Sequence, residues 1–305
     1  MRICSFLPSA TEILYELELG DSVVGVTHEC DFPSDANNKT VVVRSAFDAS
    51  KLSSEEIDNI IVQRVREGKD IYVVDDNALR KASPDLIVAQ GLCEVCSPHM
   101  KELDRAMNIL DNKPKVIVLD PHDLDEVLVS IEQVAKTVEK EKKGEEIVQK
   151  LRKRIDSVRT ATRNAKNSPK VLCIEWLDPI FTAGHWVPQM VEVAGAVNGV
   201  SKRGEPSRRM EWKEALEFSP DIIVLMPCGF DVERTMKELW RIEKHEEWQK
   251  LPAVKNKMVY ATDASSYFSR PGPRTVTGLE ILAKIINPDL FRDLNVPEDA
   301  FRRVY

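Results

Sequence analysis

Between Leu124 and Arg163, apolar residues recur in steps of three and four: Leu124, Val127, Leu128, Ile131, Val134, Ala135 and Val138, then Ile147, Val148, Leu151, Ile155 and Val158. That spacing puts them on one face of a helix. The charged run Glu139–Glu146 interrupts the stripe and carries Gly144, so the pattern predicts two helices with a break near that glycine, the second over about Lys142–Asn164. At 1.5 Å per residue the second helix would be ~30 Å long, the width of a small domain. Periodicity alone fits a surface helix pair as well as a spine between two domains. The flanking segments favour the spine.

Before it stands Ala78-Leu79-Arg80-Lys81-Ala82-Ser83-Pro84-Asp85-Leu86-Ile87-Val88, and after it Ala215-Leu216-Glu217-Phe218-Ser219-Pro220-Asp221-Ile222-Ile223-Val224. Each reads as a helix end, Ser-Pro-Asp, then a short buried strand. Proline pushes the residue before it out of the helical region, and a short continuous apolar run fits a strand covered on both faces. Each strand leads into a cysteine-bearing loop, at Cys93 and at Cys228, and then through a helix to another strand, Lys115–Leu119 and Lys257–Tyr260.

The chain therefore reads as α/β, with two similar Rossmann-like lobes joined by a rigid backbone helix and a ligand cleft between them. The expected boundaries are 1–121 for the first lobe, 122–166 for the helical linker, 167–286 for the second lobe and 287–305 for a tail. Ser9/Glu12 and Ser53/Glu56 have the spacing of capping boxes. They place helices over Ala10–Leu19 and Ser53–Arg66. The stretch Thr235–Trp248 reads as one helix, with Trp240 and Trp248 as packing residues.

Composition narrows the function. A net charge of −7 and pI near 5.5 lack the basic face a nucleic-acid binder needs. No apolar run approaches the ~20 residues of a membrane span. Met1-Arg2 leads straight into strand-like Ile3-Cys4-Ser5-Phe6 with no apolar signal region. The sequence as it stands implies the cytoplasm, or an extracytoplasmic site if a leader has been removed. Six cysteines suit a reducing compartment, with Cys4 and Cys173 as small buried residues. A monomer is expected.

Ligands of open α/β sheets bind outside the carboxyl ends of the strands. The loops there carry Ser9, His28, Glu29, Cys30, Phe47, Cys93, Cys96 and His99 in the first lobe. In the second they carry Trp176, Phe181, His185, Trp186, Cys228, Tyr267, Phe268 and Arg270. Aromatic walls with a few polar groups suit a large, flat, partly apolar ligand. No phosphate-cradling glycine motif is present. Cys93-x-x-Cys96 has metal-ligand spacing, and Cys93, Cys96 and His185 are the candidate metal ligands. A single such pair also fits a redox disulfide or structural thiols.

At these residues the chain resembles the cobalamin and iron-chelate substrate-binding proteins of ABC importers, the group with a helical backbone between lobes, and the vitamin B12 receptors in particular. The likeness runs from Arg2 to about Ile286. It is carried by Ile3-Cys4-Ser5-Phe6-Leu7-Pro8-Ser9-Ala10-Thr11-Glu12, Gly25-Val26-Thr27-His28-Glu29-Cys30-Asp31-Phe32-Pro33, Pro179-Ile180-Phe181-Thr182-Ala183-Gly184 and Tyr267-Phe268-Ser269-Arg270. The resemblance implies a corrinoid ligand contacted by Phe181 and Arg270, with Tyr267 in place of a tryptophan. It also implies an ABC permease as partner.

Departures are Ser266 for an aspartate, Glu29 for a tyrosine, and Phe47 at the nearest position to a tryptophan. Asn77 and Lys213 stand where the family docks on its permease through carboxylates, with Glu214 adjacent to the latter. These departures, with no leader in view, suggest a binding protein of this type working inside the cell. The leading expectation is thus a non-catalytic corrinoid-binding protein. The alternative is a haem-, transition-metal- or iron-chelate-binding protein of the same fold. An enzyme ranks last, because no Ser/His/Asp or paired-carboxylate arrangement is specified.

Overall fold

The computed structural model describes residues 1–91, 100–163, 165 and 167–305, and the chain forms two compact units. The first comprises Met1–Leu52, Asn59–Pro121 and Glu126–Val148; the second comprises Ser53–Asp58, His122–Asp125 and Gln149–Tyr305. Each is built on a six-stranded sheet.

In the first unit the strands are β1 (Ile3–Ser5), β2 (Val23–Thr27), β3 (Val41–Ser45), β4 (Tyr72–Val74), β5 (Leu86–Gln90) and β6 (Lys115–Leu119), in the order β4-β3-β2-β1-β5-β6. All neighbours are parallel except the antiparallel edge pair β3–β4. Every residue of β1 and β5 is buried, as a parallel strand covered on both faces requires. The helices from this half of the chain are α1 (Pro8–Glu16), α2 (Ser54–Arg66), α3 (Asp76–Ala82), α4 (Met100–Ile109), α5 (Leu124–Thr137) and α6 (Glu141–Thr162).

Two local expectations need correction here. α1 begins at Pro8 with Leu7 as an uncapped N-cap, so the Ser9/Glu12 box does not form. Proline suits the first helical position because its missing N–H would be unpaired there anyway. The break between α5 and α6 falls at Glu139, whose φ is 58°, and Gly144 lies inside α6. The glycine serves a close approach instead: a Cβ there would stand 2.4 Å from the Ala135 Cβ of α5.

The second sheet has β7 (Val171–Leu177), β8 (Ile180–Thr182), β9 (Arg208–Arg209), β10 (Ile222–Leu225), β11 (Val259–Thr262) and β12 (Phe301–Arg303), in the order β12-β11-β10-β7-β8-β9. β7, β10 and β11 run parallel, and the flanking pairs are antiparallel. Its helices are α7 (Val187–Val193), α8 (Trp212–Phe218), α9 (Val232–Glu238), α10 (Trp240–Glu243), α11 (Glu246–Lys250), α12 (Pro252–Lys255), α13 (Ala264–Tyr267) and α14 (Thr275–Ile286).

The single helix expected over Thr235–Trp248 is three short ones, broken at Leu239 and at the extended His245. The breaks allow Leu239, Ile242 and Trp248 all to enter one core cluster. Trp248 is fully buried there, whereas Trp240 is 55% exposed and lies under Arg241 and Lys244. The tail is also structural, because its β12 closes the sheet edge beside β11.

The Ser-Pro-Asp repeat recurs atom for atom. Ser83 and Ser219 end α3 and α8 in the left-handed conformation, each with its N–H bonded back into its helix. Asp85 accepts the Arg2 N–H at 2.7 Å and returns its own N–H to the Arg2 carbonyl at 2.8 Å. Asp221 does the same with Lys170, at 2.8 Å in both directions. In each unit the motif fixes the register of the first parallel strand against the strand that follows it.

Candidate ligand site

At the carboxyl ends of the first sheet, Ser5, Thr11, Thr27 and Cys30 form a buried polar knot. Thr11 Oγ1 lies 2.9 Å from Ser5 Oγ and 3.1 Å from Cys30 Sγ, and Thr27 Oγ1 lies 3.3 Å from the same sulfur. Cys30 is therefore enclosed at 4% exposure. Ser9 is buried as well, and its Oγ has no hydrogen-bond partner among the described residues.

His28 keeps an exposed edge beside Tyr72, with ring centroids 6.3 Å apart. Crowding around its imidazole lowers its pKa first, Arg44 lowers it further, and the Val43 backbone opposes both. Glu29 donates its N–H to Thr27 Oγ1 at 3.3 Å, and Phe47 packs half-buried against the unit's core. Cys93, Cys96 and His99 lie outside the described residues. Among the described residues, no group of three or more His, Cys, Asp or Glu side chains is placed to hold a metal ion.

The second unit gathers aromatic rings at the corresponding end of its sheet. Trp176 is the penultimate residue of β7 and stands edge-on to Phe230, with centroids 5.3 Å apart. Phe181 pairs across from Trp176 in the β7–β8 hairpin. Tyr267 follows β11 on α13. Three of these rings carry an arginine: Arg209 over Phe181 at 5.7 Å, Arg234 over Phe230 at 3.8 Å and Arg274 over Tyr267 at 5.8 Å. Such distances allow cation–π attraction. Burial also holds the Arg234 pKa below its usual value.

Arg270 is 9% exposed and donates to Ser265 Oγ at 3.2 Å. Trp186 and Phe268 are both buried, and the Trp186 indole donates to the Phe268 carbonyl at 2.9 Å. Phe230, Arg209 and Arg234 are absent from the sequence-derived set. Phe230 follows the Pro227-Cys228-Gly229 loop that the repeat already marked.

His185 adopts φ 53°, unusual for a non-glycine residue. Its N–H donates to the Glu205 carbonyl at 2.7 Å, and its carbonyl accepts the Gly204 N–H at 3.0 Å. The ring stacks on Trp186 at 5.5 Å and stands 6.4 Å from His122. The segment around His122 is tied into the same unit. Gln189 accepts the Leu124 N–H at 2.8 Å, and Arg203 pairs with Asp123 and Asp125 at 2.6 and 2.9 Å.

Residues 3–266 match the model of a family described as periplasmic binding protein. This chain belongs to that family. An uncharacterized ABC transporter substrate-binding lipoprotein of Bacillus subtilis is 28% identical over 96% of this chain and 82% of its own length. A vitamin B12-binding protein of Vibrio cholerae is 26% identical over 92% of this chain and 86% of its own.

Among solved structures, a possible iron-binding, periplasmic solute-binding protein of Staphylococcus epidermidis superposes with a TM-score of 0.68 at 25% identity, covering 94% of this chain and 98% of its own. The two-lobe α/β fold read from the internal repeat is the fold of these binding proteins. The intracellular placement finds no support in this company, one member of which is described as a lipoprotein and another as periplasmic. No helix among the described residues is long and apolar enough to cross a membrane.

Proposed function

We propose that this protein is the substrate-binding component of an ABC importer, acting outside the cytoplasm, and that its ligand is a corrinoid. The observation that carries the reading is the ring set Trp176, Phe181, Phe230 and Tyr267 at the carboxyl end of the second sheet, with Arg270 nearly buried beside it. Flat apolar surface is what a macrocycle offers such rings, and a guanidinium suits the oxygen acceptors at a macrocycle's rim. The B12-binding relative spans nearly the same length of chain.

At the positions where the resemblance implies permease-docking carboxylates, the chain carries Asn77 and Lys213. Asn77 and Lys213 are exposed on α3 and α8. Their neighbouring carboxylates are already engaged, Asp76 with Arg105 at 3.0 Å and Glu214 with Arg208 at 2.6 Å. One observation favours a second reading, an iron chelate or haem: the strained backbone that holds His185 beside His122, since imidazole is a common ligand of such metals.

Absorbance titration with cyanocobalamin, haemin and a ferric siderophore separates the readings. Saturable uptake of cyanocobalamin with quenching of tryptophan fluorescence is expected. Uptake of only the iron compounds would replace the first reading by the second. Uptake of none would overturn both.

A further inference from the structure

The first turn of α2 is built into the second unit. Ser54 is completely buried, and its N–H and Oγ both donate to Glu238 Oε2, at 2.8 and 2.6 Å. Its carbonyl accepts the Trp176 indole N–H at 3.1 Å. Glu55 pairs with Arg241 at 2.9 Å. The Ser53/Glu56 capping box fixes the turn, with the Ser53 N–H donating to Glu56 at 2.8 Å and the Glu56 N–H to Ser53 Oγ at 3.3 Å. One turn later on the same anchored helix, Asp58 accepts from Arg209 Nη2 at 2.7 Å.

Arg209 faces Phe181 across the β8–β9 pairing and holds its guanidinium over that ring. Its side chain is 56% exposed, whereas that of Asp58 is 16% exposed. A long, exposed arginine on a two-residue edge strand would otherwise sample many rotamers and pay that entropy on binding. Asp58 removes this freedom by engaging one N–H of a group that has five.

We propose that Asp58 is a positioning residue for the ligand site: it holds Arg209 over Phe181 so that the ring and the guanidinium meet a ligand's flat face and its peripheral oxygen acceptors together. This rests on the reading above, that Phe181 faces the ligand. The anchoring of α2 through Ser54 makes the carboxylate a fixed post rather than a mobile side chain.

The test uses the full chain, titrated with cyanocobalamin and with haemin, as wild type, Asp58→Asn, Asp58→Glu, Arg209→Gln and the Asp58→Asn/Arg209→Gln double variant, with thermal unfolding of each. Loss of one charge-assisted hydrogen bond at a half-exposed site should weaken binding roughly three- to tenfold in either single variant. Asp58→Glu should restore most of the affinity, and the double variant should be no weaker than Arg209→Gln alone. Arg209→Gln removes the same pair from the other side if Asp58→Asn folds poorly. Affinity unchanged or raised in Asp58→Asn, or additive losses in the double variant, would overturn the positioning role while leaving the function standing. If the wild type takes up neither probe, the ring-facing reading fails and the positioning role fails with it.

Discussion

Gly144→Ala is a substitution whose sign separates helix propensity from packing. In an ordinary helix interior, replacing glycine by alanine stabilises by ~1 kcal/mol, because glycine loses more backbone freedom on folding. Here the new methyl would lie 2.4 Å from the Ala135 Cβ on α5. Carbon atoms settle at ~3.5–4.0 Å, so the helices would have to part by more than ~1 Å. Both positions are buried, and overpacking of that size costs ~1–3 kcal/mol. The net expectation is a loss of up to ~2 kcal/mol, from the difference of those two terms. In an Ala135→Gly background the obstacle is gone, and the same change should regain its ~1 kcal/mol. Urea unfolding of the four proteins of this cycle, followed by circular dichroism at constant m, reads both values. Gly144→Ala that stabilises by ~1 kcal/mol in both backgrounds would refute the close approach of α5 and α6.

Phe181→Ala and Tyr267→Ala should each weaken corrinoid binding by ~1–3 kcal/mol, whereas Trp248→Ala should spare affinity and cost ~3–5 kcal/mol of stability; calorimetric titration and urea midpoints on the three variants check both, and wild-type affinity in both ring variants would remove the aromatic wall. Because the folded His28 has a pKa below its ordinary 6.5, the unfolded chain takes up this proton first, so stability should fall as pH drops below 6.5; His28→Gln should flatten that part of the urea-midpoint profile, and identical slopes in the two proteins would refute it. Burial pushes the Cys4 thiol up to about 12 and the Cys173 thiol higher still. Native alkylation mapped by mass spectrometry should therefore mark half-exposed Cys228 and spare Cys4, Cys30 and Cys173 until denaturant is added.

The parts of the fold that obey local rules were legible in the chain. Ser-Pro-Asp before an apolar run announced both parallel cores, because a proline stop and a doubly buried strand need only neighbouring residues. Cys4 and Cys173 were read as buried for the same reason. Ser9 and Glu12 misled because Pro8 can start a helix by itself, which moves Ser9 into the first turn. β12 was hidden because Phe301-Arg302-Arg303 has no strand pattern of its own, and its pairing with β11 supplies the structure. The candidate ligand residues could be named from the sequence only as occupants of expected loops, and Ser9, Trp176 and Phe181 lie within α1, β7 and β8. Their support was not legible: nothing in Ser53-Ser54-Glu55-Glu56 distinguishes an ordinary capping box from one whose hydroxyl bonds Glu238. Arg209 likewise carries no local signal of its pairing with Asp58 and Phe181.

The distribution of each unit over three separate stretches of chain has a consequence for synthesis. Ser54 leaves the ribosome 184 residues before Glu238, the acceptor of both its donors. At ~5–20 residues per second that interval is roughly 10–40 s. Through that time the first turn of α2 lacks its acceptor, and the second sheet cannot be closed until β12, at Phe301–Arg303, emerges later still. The nascent second unit thus stays incomplete until β12 is made, and removal of Phe301–Arg303 should harm it more than the exposed position of these residues suggests.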